Sequence, residues 1–137
     1  MSQQSEKTNL LKNGDFSEAG LHWKAIDAKK VDYRDGYCAL QTPGSINREI
    51  SIQGGGSFRF SAKMRTDPRA YGRVRLLIEP SWSIIELNLS NSDDWTFAYT
   101  DFSVGSDATS FKIKLEAADG SLETFGVYVD DVVLERR

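Results

Sequence analysis

The 137 residues, with 39% hydrophobic and 11% aromatic side chains, predict one folded domain and exclude a disordered chain. The formal net charge of −3 gives no general attraction to polyanions, so binding to nucleic acid or to an anionic membrane would need a local basic patch. The single cysteine, Cys38, excludes an intramolecular disulfide bond.

The chain begins with a polar segment. Residues 1–8 show no periodic apolar pattern and are expected to form a disordered leader, so one domain is expected over residues 9–137. The segment also lacks the apolar core of a secretion signal. The sequence as given therefore predicts either a cytoplasmic protein or a domain cut from a larger secreted one, and both alternatives stay open.

The clearest strand is predicted over Gly56–Thr66, where Phe58, Phe60, Ala62 and Met64 alternate with polar residues. The same two-residue period recurs at 73–79, 84–89, 111–117 and 125–134. Clusters of Gly, Asp, Asn, Ser and Pro separate these runs, and no window keeps the apolar spacing of a helix. About ten strands with little helix favour an all-β fold, an antiparallel β-sandwich of the jelly-roll type.

The alternation also predicts which side chains fill the space between the two sheets. The predicted core consists of Phe58, Phe60, Met64, Leu76, Ile78, Leu87, Phe111, Ile113, Leu115, Val129 and Leu134. Cys38 has the same parity as Leu40 and is expected to be a buried, unreactive thiol.

The two ends of the domain carry recognisable motifs. The opening segment Asn9–Phe16 reads NLLKNGDF and is followed by Trp23, and the closing segment Val127–Leu134 reads VYVDDVVL. Between them, Gly36–Leu40 resembles a "GxxSL" strand, and Trp95-Thr96 with Phe102 resembles a "Wt…F" strand. This frame resembles the galactose-binding-like jelly rolls of carbohydrate-binding module families four, nine and twenty-two, which open with "NLLxNGDFE" and close with "YVDDVxL".

The resemblance covers residues 9–136 and carries expectations for fold and function. It implies a galactose-binding-domain-like jelly roll that binds oligo- or polysaccharides without catalysis, on the concave face of one sheet or in loops at the edge of the sandwich. It also implies a structural calcium ion between the first and last strands. Here Asp130 stands at the closing position, and Asp15 and Glu18 flank the opening position, which Ser17 occupies. The alternative is that these carboxylates accept only turn and backbone hydrogen bonds.

Aromatic side chains are the first candidates for contact with a sugar, because sugar rings stack on exposed aromatic faces. Trp82 has the parity of outward-facing residues and is the leading candidate, with Tyr71 in a loop and Tyr99 on the same outward face as Trp82, Arg73 and Arg75 as further candidates. Trp23 and Trp95 hold frame positions and are expected in the core.

Polar residues on the outward strand faces are the second group of candidates. Arg59, Arg73 and Arg75 interleave with Glu86 and Asn88, and such planar groups bind sugar hydroxyls beside aromatic rings. The excess of basic side chains on this face would suit uronic acids, so an acidic glycan is expected as an alternative to a neutral one. A solvated face of cross-strand ion pairs explains the same pattern.

No catalytic motif accompanies this pattern. His22 has no evident nucleophile partner, and no G-x-S-x-G, zinc-binding or phosphate-loop motif occurs. Glu79 and Glu86 could in principle form a glycosidase pair, but no enzyme activity is expected. The expected partner is a carbohydrate, with no nucleic acid and no membrane, and the chain could belong to a larger multidomain protein. The rival hypothesis is a structural or protein-interaction jelly roll without sugar affinity.

Overall fold

The computed structural model describes residues 9–90, 92–118 and 125–137, so the predicted leader over residues 1–8 lies outside the described residues. The described chain forms ten strands and a short 3-10 turn at Ala28–Lys30. The strands are β1 (Lys24–Ile26), β2 (Val31–Arg34), β3 (Tyr37–Leu40), β4 (Ser45–Ser51), β5 (Gly56–Thr66), β6 (Tyr71–Glu79), β7 (Ser83–Ser90), β8 (Thr96–Val104), β9 (Ser110–Ala118) and β10 (Val127–Arg136). Among these residues, no helix is long and apolar enough to cross a membrane.

The strands form two five-stranded antiparallel sheets. Sheet A has the order β1-β4-β9-β6-β7, and sheet B has the order β2-β3-β10-β5-β8. Most connections between consecutive strands pass from one sheet to the other, because each sheet must bury its apolar face against its partner. This arrangement confirms the predicted all-β jelly-roll sandwich.

The space between the sheets is filled by the side chains that the alternation selects. Every residue of the predicted core is buried. Phe58 packs edge-on against Phe111, with ring centroids 5.2 Å apart. Cys38 is fully buried as expected, and burial raises the pKa of its thiol to about 12. A thiol with so high a pKa stays protonated at neutral pH, which makes it a poor nucleophile.

The opening segment is fastened to the last strand by hydrogen bonds. The Asn9 amide donates to the Val132 carbonyl oxygen (3.1 Å), and its Oδ1 accepts the Leu134 backbone N–H (3.0 Å). The Val132 backbone N–H donates to the Gly14 carbonyl oxygen (2.9 Å). Trp23 is buried, as predicted, and its indole N–H donates to the Asn13 carbonyl oxygen (3.0 Å). The first and last motifs of the sequence therefore form one structural unit that closes the domain.

Candidate functional site

The outer face of sheet A contains a groove of about 460 Å³. Residues of β1, β4, β6, β7 and β9 line it, so it crosses all five strands of the sheet. The strand register arranges its side chains in rows. One row consists of Asn47, Lys114 and Arg75 and continues to Glu86 beside the groove, and the next consists of Glu49, Lys112, Leu77 and Ile84.

The groove contains exposed apolar side chains beside its charged ones, which a face that only contacts water does not require. Leu77 pairs with Ile84 across β6 and β7, and both line the groove together with Ile26. Ile84 is 55% exposed. Neighbouring apolar groups in a concave surface with polar residues around them are typical of a binding site.

The polar groups around this apolar strip hold one another in fixed positions. Arg75 Nε donates to Glu86 Oε2 (2.6 Å) and lies 3.8 Å from Glu116 Oε1. The other Glu86 oxygen accepts a hydrogen bond from the Asn88 amide (3.0 Å). The hydrogen bond from Arg75 is the main reason that the pKa of Glu86 lies below its usual value. Arg73 Nε lies 3.4 Å from Glu116. The cross-strand ion pairs that the sequence allowed are therefore formed, and they orient planar donors and acceptors along the groove.

Trp82 stands at one end of this surface. It lies in the turn between β6 and β7, with its side chain 60% exposed and its backbone at φ 64°. The left-handed conformation is unfavourable for a bulky side chain, and such outliers are enriched at functional sites. The ammonium group of Lys112, a groove residue, lies 5.8 Å from the centre of the indole. The turn therefore presents a large ring to solvent beside the groove.

The outer face of sheet B is rich in aromatic rings. Trp95, Phe97 and Tyr99 are 42%, 56% and 51% exposed. The Arg59 guanidinium lies over the Tyr99 ring, 4.1 Å from its centre, and forms a bidentate pair with Asp101 (2.7 and 2.9 Å). The exposed faces of the two sheets thus differ in kind, one grooved and ionic, the other aromatic.

The chain matches no protein-family model and no curated protein. Among solved structures, it resembles a family 4 carbohydrate-binding module with 20% identity and a TM-score of 0.62, over 97% of this chain and 96% of that one. It resembles TmCBM61, solved in complex with beta-1,4-galactotriose, with 13% identity and a TM-score of 0.68, over 95% and 99% of the two chains. The fold of this chain is the same jelly-roll sandwich. It also occurs within the enzymatically active domain of bacteriophage CBA120 tailspike protein 4, with 14% identity and a TM-score of 0.70, over 94% of this chain and 21% of that chain.

The structure divides the predicted ligand residues between the two faces of this jelly roll. Sheet A and its β6–β7 turn carry Tyr71, Arg73, Arg75, Trp82, Glu86 and Asn88. Tyr71 begins β6, paired with β7 and β9, so the prediction that it lies in a loop is wrong. Arg59 and Tyr99 belong to β5 and β8 of sheet B, so the prediction that Tyr99 shares a face with Trp82 and Arg75 is wrong. Parity along a strand gives the side of a residue but not the sheet that its strand joins.

Two further differences concern individual residues. Trp95, which the frame placed in the core, lies on the outer face of sheet B, because it has the parity of Phe97 and Tyr99. Leu77 was missed as a groove residue, although the sequence holds its signal. Leu76 and Ile78 both point into the core, so the apolar residue between them must point outward.

The predicted calcium ligands meet only in part. Asp130 Oδ1 accepts the Asp131 backbone N–H (2.7 Å), and Asp15 Oδ1 accepts the Ser17 backbone N–H (3.1 Å). The pKa of Asp130 is raised to about 6, mainly by burial and to a smaller extent by the charges of Asp131 and Asp15. Over residues 9–90, 92–118 and 125–137, no three His, Cys, Asp or Glu side chains converge, so Glu18 does not complete a carboxylate site. A calcium ion between Asp15 and Asp130 stays a proposal. Such an ion would need backbone and amide oxygens as its remaining ligands.

Proposed function

We propose that the protein is a non-catalytic carbohydrate-binding module that holds an oligo- or polysaccharide in the groove on the outer face of sheet A. One observation carries this proposal. The groove combines an apolar strip, Leu77 and Ile84, with the planar guanidinium of Arg75, which Glu86 beside the groove holds in place, and an exposed Trp82 stands at its end. A sugar presents the matching surfaces, since its ring carries C–H groups on its faces and hydroxyls around its edge.

The dimensions of the groove favour several sugar residues over one. Five strands separated by roughly 4.8 Å span about 19 Å across the sheet. In this arrangement, Trp82 stacks on one sugar ring while Leu77 and Ile84 contact the apolar faces of its neighbours. Arg75, Glu86 and Asn88 exchange hydrogen bonds with hydroxyls. Affinity should be modest, roughly micromolar to millimolar, because each sugar hydroxyl exchanges a bond to water for a bond to protein.

The two carboxyl groups that the sequence offers as a glycosidase pair, Glu79 and Glu86, argue against that activity. A general acid in such an enzyme needs a raised pKa. The pKa of Glu79 is instead lowered, first of all by the hydrogen bond from Ser110. The pKa of Glu86 is lowered by Arg75. Both groups are therefore ionised at neutral pH and suited to accept hydrogen bonds from a ligand.

The ion pairs on the outer face favour a neutral glycan, because they already occupy several of the cations. Glu116 lies within 4 Å of Arg73, Arg75 and Lys114, and Glu79 lies 3.9 Å from Lys112. An acidic glycan is the second candidate, because the side chains of Lys112 and Lys114 are about half exposed and line the groove. Salt separates the two candidates. Binding of a uronic-acid polymer should weaken as ionic strength rises, whereas binding of a neutral glycan should not change.

The test is affinity electrophoresis and calorimetric titration against soluble neutral and acidic polysaccharides. We expect Trp82→Ala to reduce binding at least tenfold without unfolding the domain, because its ring is largely outside the core. Leu21→Ala is the matched control, since Leu21 is an exposed apolar residue that precedes β1 and does not line the groove. Wild-type protein that is folded but binds no glycan at millimolar concentration would refute the proposal and favour a protein-interaction module.

A further inference from the structure

A second concave site lies on the opposite side of the sandwich, on the outer face of sheet B. Trp95 precedes β8, and Phe97 follows two positions later on the same face. Together with Lys63 and Asp130 they line a notch of about 340 Å³. Small-molecule sites have volumes of roughly 300 to 1,000 Å³, so the notch lies at the lower end of that range and suits a single sugar ring.

The strand register places the polar floor of the notch beside its aromatic wall. Lys63 of β5 pairs with Phe97 of β8 on one side and with Asp130 of β10 on the other. The three side chains therefore form one row across neighbouring strands. A hydrogen-bond donor, an acceptor and an exposed ring meet within the width of three strands, which is roughly 10 Å.

An irregularity in β10 shapes this floor. The register of β10 against β5 shifts between Asp130 and Val133, and Asp131 adopts φ 46°. Asp131 binds the Lys63 ammonium (3.1 Å), and its backbone N–H donates to Asp130 Oδ1 (2.7 Å). β-Bulges are common beside functional sites because they redirect side chains. Here the bulge holds Lys63 and Asp130 in a fixed arrangement at the base of the notch.

We propose that this notch is a second carbohydrate site, one that takes a single neutral pyranose. Trp95 and Phe97 offer C–H stacking surfaces, Asp130 accepts hydrogen bonds from ring hydroxyls, and Lys63 donates one. The proposal shares with the proposed function only the class of ligand, because no residue of the notch lines the groove on sheet A.

The charges of this face match an uncharged ligand better than a polyanion or an acidic protein. Lys63 is paired with Asp131, and Arg59 is held by both oxygens of Asp101. A polyanion would lie beside the carboxylates of Asp101, Asp130 and Asp131, whose like charge opposes its approach, whereas a neutral sugar meets no such repulsion. A protein partner that used the exposed rings is left as an outcome of the test.

The three tryptophans provide separate reporters in one experiment. In a ¹⁵N-labelled sample, the indole N–H of Trp82 reports on the groove and that of Trp95 on the notch. The buried Trp23 indole serves as an internal control. The probes are the methyl pyranosides of glucose, galactose, mannose and xylose, added to about 50 mM to reach weak affinities, and a soluble neutral oligosaccharide. A chelator is present throughout so that no metal contributes.

We expect at least one methyl pyranoside to shift the Trp95 signal saturably while the Trp23 signal stays fixed. Two equally exposed apolar residues give the matched variants, Phe97 in the notch and Ile84 in the groove. Phe97→Ala should abolish the Trp95 response and preserve the response of Trp82 to the oligosaccharide. Ile84→Ala should weaken the Trp82 response and preserve that of Trp95.

The two proposals fail in different ways. A Trp95 signal that no sugar moves, beside a Trp82 signal that does move, overturns the notch and leaves the groove. A Trp95 response without any Trp82 response supports the notch and counts against the groove. A Trp95 signal that shifts with protein concentration alone, and loses this shift in Phe97→Ala, overturns the sugar site in favour of self-association.

Discussion

The backbone of Trp82 offers a test of the claim that this residue is present for binding. Its φ of 64° is a conformation that costs a non-glycine residue roughly 1–2 kcal/mol. Glycine avoids that cost but loses about 0.5–1 kcal/mol more backbone entropy on folding. Comparing Trp82→Gly with Trp82→Ala removes the ring in both proteins and the strain in only one. The glycine variant should therefore be more stable by about 0.5–1 kcal/mol.

Calorimetry of the two variants and the wild type measures this difference. For a domain of this size the melting temperature of Trp82→Gly should lie roughly 2–4 °C above that of Trp82→Ala. Both variants should lose glycan binding to the same extent, because both lack the ring. A glycine variant that melts at or below the alanine variant would show that the turn is unstrained. A glycine variant that retains full affinity would show that the ring does not contact the glycan.

Other properties of the fold can be measured directly. Phe60 is fully buried, so Phe60→Ala should lower the free energy of unfolding by about 3–5 kcal/mol in a denaturant titration; a loss below 1 kcal/mol would contradict the core. Cys38 should react with a thiol reagent only on unfolding, and rapid labelling of the native protein would refute its burial. Calcium bound between Asp15 and Asp130 would raise the melting temperature above that of chelator-treated protein. Asp15→Asn should remove this increase. Equal melting temperatures with and without calcium would exclude the ion. The pKa of Asp130 is raised from 3.8 to about 6, so between these pH values the folded state binds more protons than the unfolded state, and ionisation destabilises the fold as pH rises. In chelator, Asp130→Asn should therefore raise the melting temperature at pH 7 and leave it nearly unchanged at pH 4; a lower melting temperature at pH 7 would contradict the shift.

The parts of the structure that follow from local alternation could be predicted from the sequence. β5 begins and ends at the predicted residues, Gly56 and Thr66, because apolar and polar side chains alternate from Phe58 to Arg65. The case of Trp95 shows the strength of the same rule. Its spacing from Phe97 and Tyr99 indicates an outward ring, whereas the family frame indicated the core, and the structure follows the spacing. Local parity was the better guide, because residues two positions apart in a strand point to the same face. The family motif gives the place of a tryptophan in the sequence but not the direction of its side chain.

The composition of each face could not be predicted, because it depends on which strands become neighbours. β7 and β8 are consecutive in the chain yet lie at the edges of different sheets. Trp82 and Tyr99 both face outward and are only seventeen positions apart in the sequence, yet they lie on opposite faces of the sandwich. The notch requires β8, β5 and β10 side by side and a bulge beside Asp130. Long-range pairing of this kind leaves no periodic signal in a single sequence.

The alternation that builds the core also separates binding from stability. In β6, Leu76 packs between the sheets while Leu77 lines the groove. Substitutions on the outer faces can therefore change the ligand without creating a cavity in the core. The two proposed sites lie on opposite outer surfaces of a two-layer sandwich whose sheets are roughly 10 Å apart, so both cannot bind the same short stretch of glycan. Simultaneous occupation would join two chains, or two distant parts of one chain. Such a bivalent module would bind a polysaccharide network more tightly than either site binds alone.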